Sequence, residues 1–301
     1  MNSGDFGNAE SGLFDCHAQI IDLKNPEGEV NSDEINLGKD IKEKKSDFSL
    51  PEYRALCDKL SITGTVLLQP EDCGYDHQIL IKTITEVNQN TDKKNPSLAV
   101  GIATLDLDVT DNELENLKSS GIVGAQLFMK AGENKYQWDE AERLAWRVHD
   151  LGWHVDIKID GSDLHEVEQR LASWPGYIIL HHIGLFLRTK TLKQRGFKAL
   201  TRLIDRDKVW VKLSAPYNSS RGGLIDDPEV GDIARALITW APERMVWGSN
   251  WPHPEYPENK PNDFDLYKIF CDWIPERSRR KMILSENPAT LYSFDGQNIR
   301  V

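Results

Sequence analysis

A chain of 301 residues, 39% of them hydrophobic, can bury one large core or two small ones. Its 36 basic and 48 acidic side chains give a net charge of -12, which excludes general attraction to nucleic acid or to anionic membranes and leaves only a local basic pocket open. No apolar run is long enough to predict a spanning helix, and the opening MNSGDFGNAESG lacks the basic and apolar regions of a signal peptide. The four cysteines (Cys16, Cys57, Cys73 and Cys271) form no CxxC pair, so a reduced, cytoplasmic protein is expected.

Eight short β-rich runs follow one another, each bounded by Gly, Pro, Asp or Asn. They are 13–21 (LFDCHAQII), 62–69 (ITGTVLLQ), 98–105 (LAVGIATL), 122–130 (IVGAQLFMK), 153–160 (WHVDIKID), 177–183 (YIILHHI), 209–215 (VWVKLSA) and 244–250 (RMVWGSN). Helical patterns lie between them. Thr110-x-x-Glu113 and Asp163-x-x-Glu166 open two, and Asp139-x-x-Glu142 reads as the capping box of a third over 139–151, with Ala141, Leu144, Ala145, Val148 and Leu151 as its stripe. Over 227–241, Asp227 suits the N-cap, Pro228 the first helical position, and Val230, Ile233, Ala234 and Leu237 the buried face.

Eight strands alternating with helices predict a (β/α)8 barrel, with a doubly wound open sheet as the competing arrangement. One domain over 12–294 is expected, between a flexible start at 1–11 and a tail at 295–301. Residues 23–49 are charged and nearly free of large apolar side chains, and read as a solvated loop after the first strand, with a substrate lid as the alternative.

Side chains alternate along a strand, so parity predicts which of them share a face. Asp15, His17 and Gln19 form one set, with Cys16 opposite; His154, Asp156, Lys158 and Asp160 form another, as do Gln126, Phe128 and Lys130, and Lys212 with Ser214. Gln69, His182 and Asn250 end their runs. The apolar parity must meet the helices, so these polar sets are expected inside the barrel, at the strand ends where barrel enzymes hold their sites. Parity sets His181 behind the pocket, and His154, near a strand start, reads as a core histidine; a structural ion pair is the alternative for Asp15 with Lys212, and Tyr217 and Trp251 are expected as pocket walls. Lys130, Lys158, Arg188 and Arg221 fall on one rim and predict a small anionic ligand.

DCHAQ at 15–19, LHHIG at 180–184, VWVKLSAPY at 209–217, RMVWGSNWPHP at 244–254 and ENPATLY at 286–292 resemble the amidohydrolase superfamily, and within it the 2-pyrone-4,6-dicarboxylate lactonase branch. The resemblance runs from about residue 12 to 294 and implies a barrel that opens lactones without a metal. It implies carbonyl polarisation by His17 and His182, and a water-activating aspartate at the end of the eighth strand. Here Gln19 stands where the resemblance implies a second histidine, and Asn250 where it implies the aspartate.

Catalytic zinc takes three protein ligands, usually His or carboxylate, and only His17 and His182 remain as good donors, so no metal or other cofactor is expected. Asn250 accepts no proton at neutral pH, so hydrolysis needs another base: His182 first, then Asp160 or His253. Asn250→Asp is then expected to raise hydrolysis. The catalytic set is thus His17, His182, Asn250 and Gln19. The expected substrate-binding set is Gln69, Gln126, Lys130, Lys158, Asp160, Lys212, Ser214, Tyr217, Arg221 and His253, and the expected partner is a small anionic lactone. Two readings compete with hydrolysis: a lactone isomerase in which the substrate's own hydroxyl attacks, and a non-catalytic barrel that binds a small acid. Oligomeric state is left open.

Overall fold

The computed structural model describes residues 12–21, 49–89, 98–132, 134–188, 191–220, 222–256 and 259–292. The expected flexible start, most of the charged 23–49 loop, the tail and Arg221 lie outside the described residues. Eight strands alternate with eight helices: β1 (Leu13–Ala18), α1 (Leu50–Leu60), β2 (Ile62–Leu68), α2 (Gln78–Gln89), β3 (Leu98–Ala103), α3 (Asp111–Ser119), β4 (Ile122–Phe128) and α4 (Trp138–His149), followed by β5 (His154–Lys158), α5 (Leu164–Ser173), β6 (Ile178–Leu180), α6 (Arg195–Asp205), β7 (Val209–Leu213), α7 (Pro228–Trp240), β8 (Met245–Trp247) and α8 (Asp263–Trp273). Each strand pairs in parallel with the next, in the order β1 to β8. The seam between β8 and β1 is joined at the mouth, where Asn250 N donates to His17 O (2.8 Å) and Gln19 N to Trp251 O (2.9 Å). This is the expected (β/α)8 barrel, with every strand ending one to three residues before its sequence run does. No helix among the described residues is long and apolar enough to cross a membrane.

Helix starts follow local chemistry. Thr110 and Glu113 form the expected reciprocal capping box of α3. Asp227 accepts from Glu229 N and Val230 N and starts α7, with Pro228 in its first turn. The box of α4 lies two residues earlier than expected: Glu140 pairs with Gln137, because the helix begins at Trp138, whose ring packs 6.1 Å from that of Trp174. Asp163 makes no side-chain cap on α5, since its carboxylate pairs with Arg188 instead.

Burial divides the strands into two faces. Leu67, Ala125, Leu127, Val155, Ile157, Leu180, Val211 and Leu213 join the large cluster shared with the helices. Inside the barrel, Cys16, Val66, Leu68, Ile102, Ile179, Trp210 and Val246 pack with Leu291 and Tyr292 as an apolar floor. Cys16 therefore points inward, and Asp15 outward, against the expected parity. The register between β1 and β2 shifts between Asp15 and Ala18, a bulge that reverses parity, so that His17 still reaches the mouth. Asp15 accepts from Ser249 N (2.9 Å), Ser249 Oγ (2.5 Å) and the Tyr53 hydroxyl of α1 (2.9 Å), which ties β1, β8 and α1 together.

Candidate active site

Above the apolar floor the barrel interior becomes polar. Lys212 on β7 and Asp156 on β5 are wholly buried, with the ammonium 2.5 Å from Asp156 Oδ2. Burial by itself would raise the Asp156 pKa, but the charge of Lys212 and the close approach of His154 and His181 hold it well below the usual range. Lys212 thus pairs with Asp156, not with Asp15, because Asp15 has turned outward. His154, a core histidine as expected, places Nε2 3.3 Å from Asp156 Oδ1.

His181 bridges this pair to the cavity above, with Nε2 3.2 Å from Asp156 Oδ2. Its parity reading does not hold, because β6 stops at Leu180 and the chain then leaves strand geometry. His181 is extended, whereas His182 (φ 51°), Ile183 (φ 59°) and Leu185 (φ 49°) are left-handed. Each such non-glycine residue costs roughly 1–3 kcal/mol, a strain that clusters at functional sites. The kink turns both adjacent histidines toward the mouth. His17 and His181 rings lie 4.8 Å apart edge-on, and His17 and His182 lie 5.0 Å apart.

These histidines line a cavity of about 230 Å³ together with Gln19, Ile21, Pro70, Glu71, Asp72, Gln126, Phe128, Lys158, Pro254 and Glu255. Burial pushes the pKa of all three imidazoles down, most strongly at His17 and His182; His181 adds to the effect at those two and Lys212 at all three, while Asp156 opposes it at His181 and His17. The site is therefore a cluster of neutral imidazoles at ordinary pH. His182 Nδ1 is 3.1 Å from Ser214 Oγ, while His17 Nδ1 is buried with no hydrogen-bond partner among the described residues.

Of the expected site residues, His17, His182, Gln19, Gln126 and Lys158 meet at the cavity. Lys158 Nζ is 3.1 Å from Glu71 Oε1, and Gln126 Nε2 donates to Gln69 O (2.6 Å) and Thr104 Oγ1 (2.7 Å). Lys212 and Ser214 lie beneath, behind His181 and His182. Gln69 is spent on the carbonyls of Gly74 and Asp76 in the loop after β2. Asp160 accepts from Ser162 N and Leu187 N and faces Arg188, so those two form a loop brace, and neither lines the cavity. Lys130, just past β4, is also absent from its lining.

Asn250 (φ 62°) is buried beside the cavity, with Nδ2 donating to Tyr217 Oη (2.8 Å) and Glu255 Oε2 (3.1 Å). Tyr217 Oη also meets His253 Nδ1 at 2.7 Å, and His253 Nε2 meets Asp263 Oδ1 at 3.1 Å. Parity reading missed His181, Glu71 and Glu255. The doubled histidine of LHHIG and the carboxylate following WPHP were the available signals.

The sequence model of the amidohydrolases matches residues 14–294. The chain belongs to the amidohydrolase family. Three curated relatives of this amidohydrolase process lactones. D-galactarolactone isomerase of Agrobacterium fabrum is 28% identical over 245 residues, covering 81% of this chain and 80% of its own. 4-Sulfomuconolactone hydrolase of Hydrogenophaga intermedia is 28% identical over 250 residues, covering 82% and 80%. 2-Pyrone-4,6-dicarboxylate hydrolase of Comamonas testosteroni is 26% identical over 291 residues, covering 94% and 90%.

Catalytic zinc needs three protein ligands, and His181 corrects the expectation that only two good donors remain. Ligand atoms of His17, His181 and His182 all lie within 4.8 Å of one another. His181 is backed by Asp156 and His182 by Ser214, as outer-shell groups back metal-bound imidazoles. The donor set of this amidohydrolase fits a divalent ion, and those three residues would hold it.

Proposed function

We propose that this chain opens the ester ring of a small lactone by hydrolysis in the cavity at the mouth of the barrel, within one catalytic domain spanning 12–294. The observation that carries the reading is the buried cluster of neutral His17, His181 and His182, in a chain whose curated relatives process lactones. A neutral imidazole donates one N–H. The buried Nδ1 of His17 has no protein partner among the described residues, and leaving a buried polar group unmatched costs about 1–3 kcal/mol. The ring carbonyl of a lactone is an acceptor of the right kind. With the Ser214 hydroxyl donating to Nδ1, His182 keeps its proton on Nε2 and offers a second donor. As water adds, charge grows on that carbonyl oxygen, and donors fixed on buried side chains stabilise it without reorganising. The Lys212–Asp156 pair holds His181 from below, so the cluster keeps its geometry through the reaction.

The reading is metal-independent. Gln19 and Asn250 are carboxamides, and the Asn250 amide is committed to Tyr217 and Glu255. An ion held by the three histidines would act as a Lewis acid on the same carbonyl. Four free cysteines support a reducing, cytoplasmic setting.

The cavity also bears on the charge of the substrate. Lys158 is the cation among its described lining residues, set against Glu71, Asp72 and Glu255. Such a wall accepts hydrogen bonds from ring hydroxyls and seats one carboxylate at Lys158, while a second carboxylate would meet like charge. A hydroxylated lactone with one carboxylate, of the sugar-acid kind, fits better than a dicarboxylate.

A second reading, isomerisation by the substrate's own hydroxyl, is favoured by the carboxamide at Asn250 and by the likeness to the isomerase. A pH-stat assay on aldaric-acid, aldonic-acid and unsaturated dicarboxylic-acid lactones separates the two. Hydrolysis releases one proton per turnover and isomerisation none. A chain that turns over no lactone in the panel overturns both readings.

A further inference from the structure

We propose that Glu255, in the loop after β8, is the group that takes the proton from the attacking water, in the role that the end of the eighth strand leaves empty. The inference rests on the hydrolytic reading above. Asn250 accepts no proton, so its carboxamide has to be accounted for by what it touches. It touches a carboxylate: Asn250 Nδ2 donates to Glu255 Oε2 at 3.1 Å, and Asn218 Nδ2 holds the other oxygen, Oε1, at 3.0 Å. Two carboxamides thus clamp one carboxylate, and that carboxylate lines the same cavity as His17, His181 and His182.

The loop that brings it there is itself fixed. His253 N donates to Asn250 O (2.7 Å), Tyr256 N donates to His253 O (2.9 Å), and the His253 ring is held between Tyr217 and Asp263.

The exchange at position 250 then has a physical reason. An aspartate there would set two carboxylates at hydrogen-bond distance, and such a pair resists full ionisation, trapping a proton where a base is needed, so Asn250→Asp by itself is expected to lower hydrolysis, the reverse of the expectation from sequence. An asparagine donates instead, and leaves Glu255 as the acceptor. Three rival bases on the cavity wall are already engaged. His181 Nε2 is bound to Asp156, His182 Nδ1 to Ser214, and Glu71 to Lys158.

The step balances. Glu255 takes one proton from water as the water oxygen bonds to the ring carbonyl carbon, and the carbonyl electron pair moves onto the oxygen facing His17. Collapse of that adduct breaks the ring C–O bond, and Glu255 returns its proton to the departing ring oxygen. The product is the open hydroxy acid, and the glutamate is restored.

Glu255→Gln tests the assignment. Glu255 is exposed at the rim, and glutamine has the same shape and keeps one acceptor oxygen, for Asn250, while Asn218 turns its own amide oxygen to the new N–H, so the fold and the loop are retained. On the best lactone of the panel, kcat is expected to fall about 10²–10³-fold with KM within threefold, the loss typical of removing a general base. A variant that keeps more than half of the wild-type kcat overturns the proposal.

The second arm is the exchanged pair, Asn250→Asp with Glu255→Gln, which restores one carboxylate and one carboxamide with donor and acceptor swapped. It is expected to recover at least tenfold over Glu255→Gln alone, and no recovery counts against a shared site for the carboxylate. A wild-type chain that opens no lactone overturns the hydrolytic reading and this one together, whereas an active wild type with an equally active Glu255→Gln overturns the role of Glu255 only.

Discussion

Lys212 and Asp156 face each other across the barrel at 2.5 Å, and neither side chain meets solvent. They reach that depth from adjacent layers of β7 and β5, and the pair carries His181 on its upper edge and His154 on its lower. Removing one member leaves the other charged in a dry interior, which commonly costs about 3–5 kcal/mol. Lys212→Met is therefore expected to lower unfolding free energy by about that much in urea titrations. Adding Asp156→Asn should return half of the loss or more. A Lys212→Met variant as stable as the wild type would show that the two charges are not held as a pair.

The neutral histidine cluster makes stability depend on acidity. Burial lowers the pKa of His17, His181 and His182 in the folded chain, so below about pH 6.5 the unfolded chain binds protons that the folded chain refuses. The stability these groups contribute is complete above the unfolded value and is lost as pH falls below it, until the folded sites themselves protonate. The slope approaches ~1.4 kcal/mol per pH unit for each imidazole. Calorimetry between pH 7.5 and 5 should show Tm falling on the acid side, with proton uptake on unfolding, and His17→Gln should flatten the slope. A Tm independent of pH over this range would mean that the imidazoles are not buried in neutral form.

His182 and His17 differ in what supports them, so their variants should differ too. His182→Asn removes a donor that Ser214 orients, and a fall in kcat of about 10²–10³ is expected, the range for one oxyanion-stabilising group. Ser214→Ala should lower kcat less, by about tenfold, since it frees the ring without removing it. Equal losses in both variants would indicate that Ser214 does more than orient the imidazole.

Lys158 stands alone against three carboxylates among the described lining residues of the cavity, which sets an expectation for binding. Lys158→Met should raise KM at least tenfold for lactones with one carboxylate and leave their kcat within threefold. Neutral lactones should be affected little, and dicarboxylate lactones should be poor substrates of the wild type. A wild type that prefers dicarboxylates would mean that cations beyond the described residues complete the pocket.

Metal independence is directly measurable. Exhaustive chelation followed by elemental analysis is expected to leave kcat/KM unchanged in metal-free protein. Zinc retained at one ion per chain and lost together with activity would assign the three histidines to an ion instead.

Much of this protein was decided by its sequence alone. Strand and helix follow from apolar period and from capping chemistry, both local, so all eight strands, the α3 capping box and the Asp227 start of α7 could be read directly. Family membership lay in contiguous motifs such as RMVWGSNWPHP, and His17, Gln19, Gln126, Lys158 and His182 followed from the polar ends of the strands.

Tertiary structure decided the partners. A one-residue bulge in β1 turned Asp15 outward to Tyr53 and left Lys212 to Asp156, and the left-handed run after Leu180 brought His181 forward beside His182. Glu255 reached the mouth only through the fold of its loop. Parity holds while a strand stays regular, and active-site strands stop being regular at their C-terminal ends. There, which charge meets which depends on backbone angles and on contacts between elements far apart in the chain, and no short stretch of sequence contains both sides of such a contact.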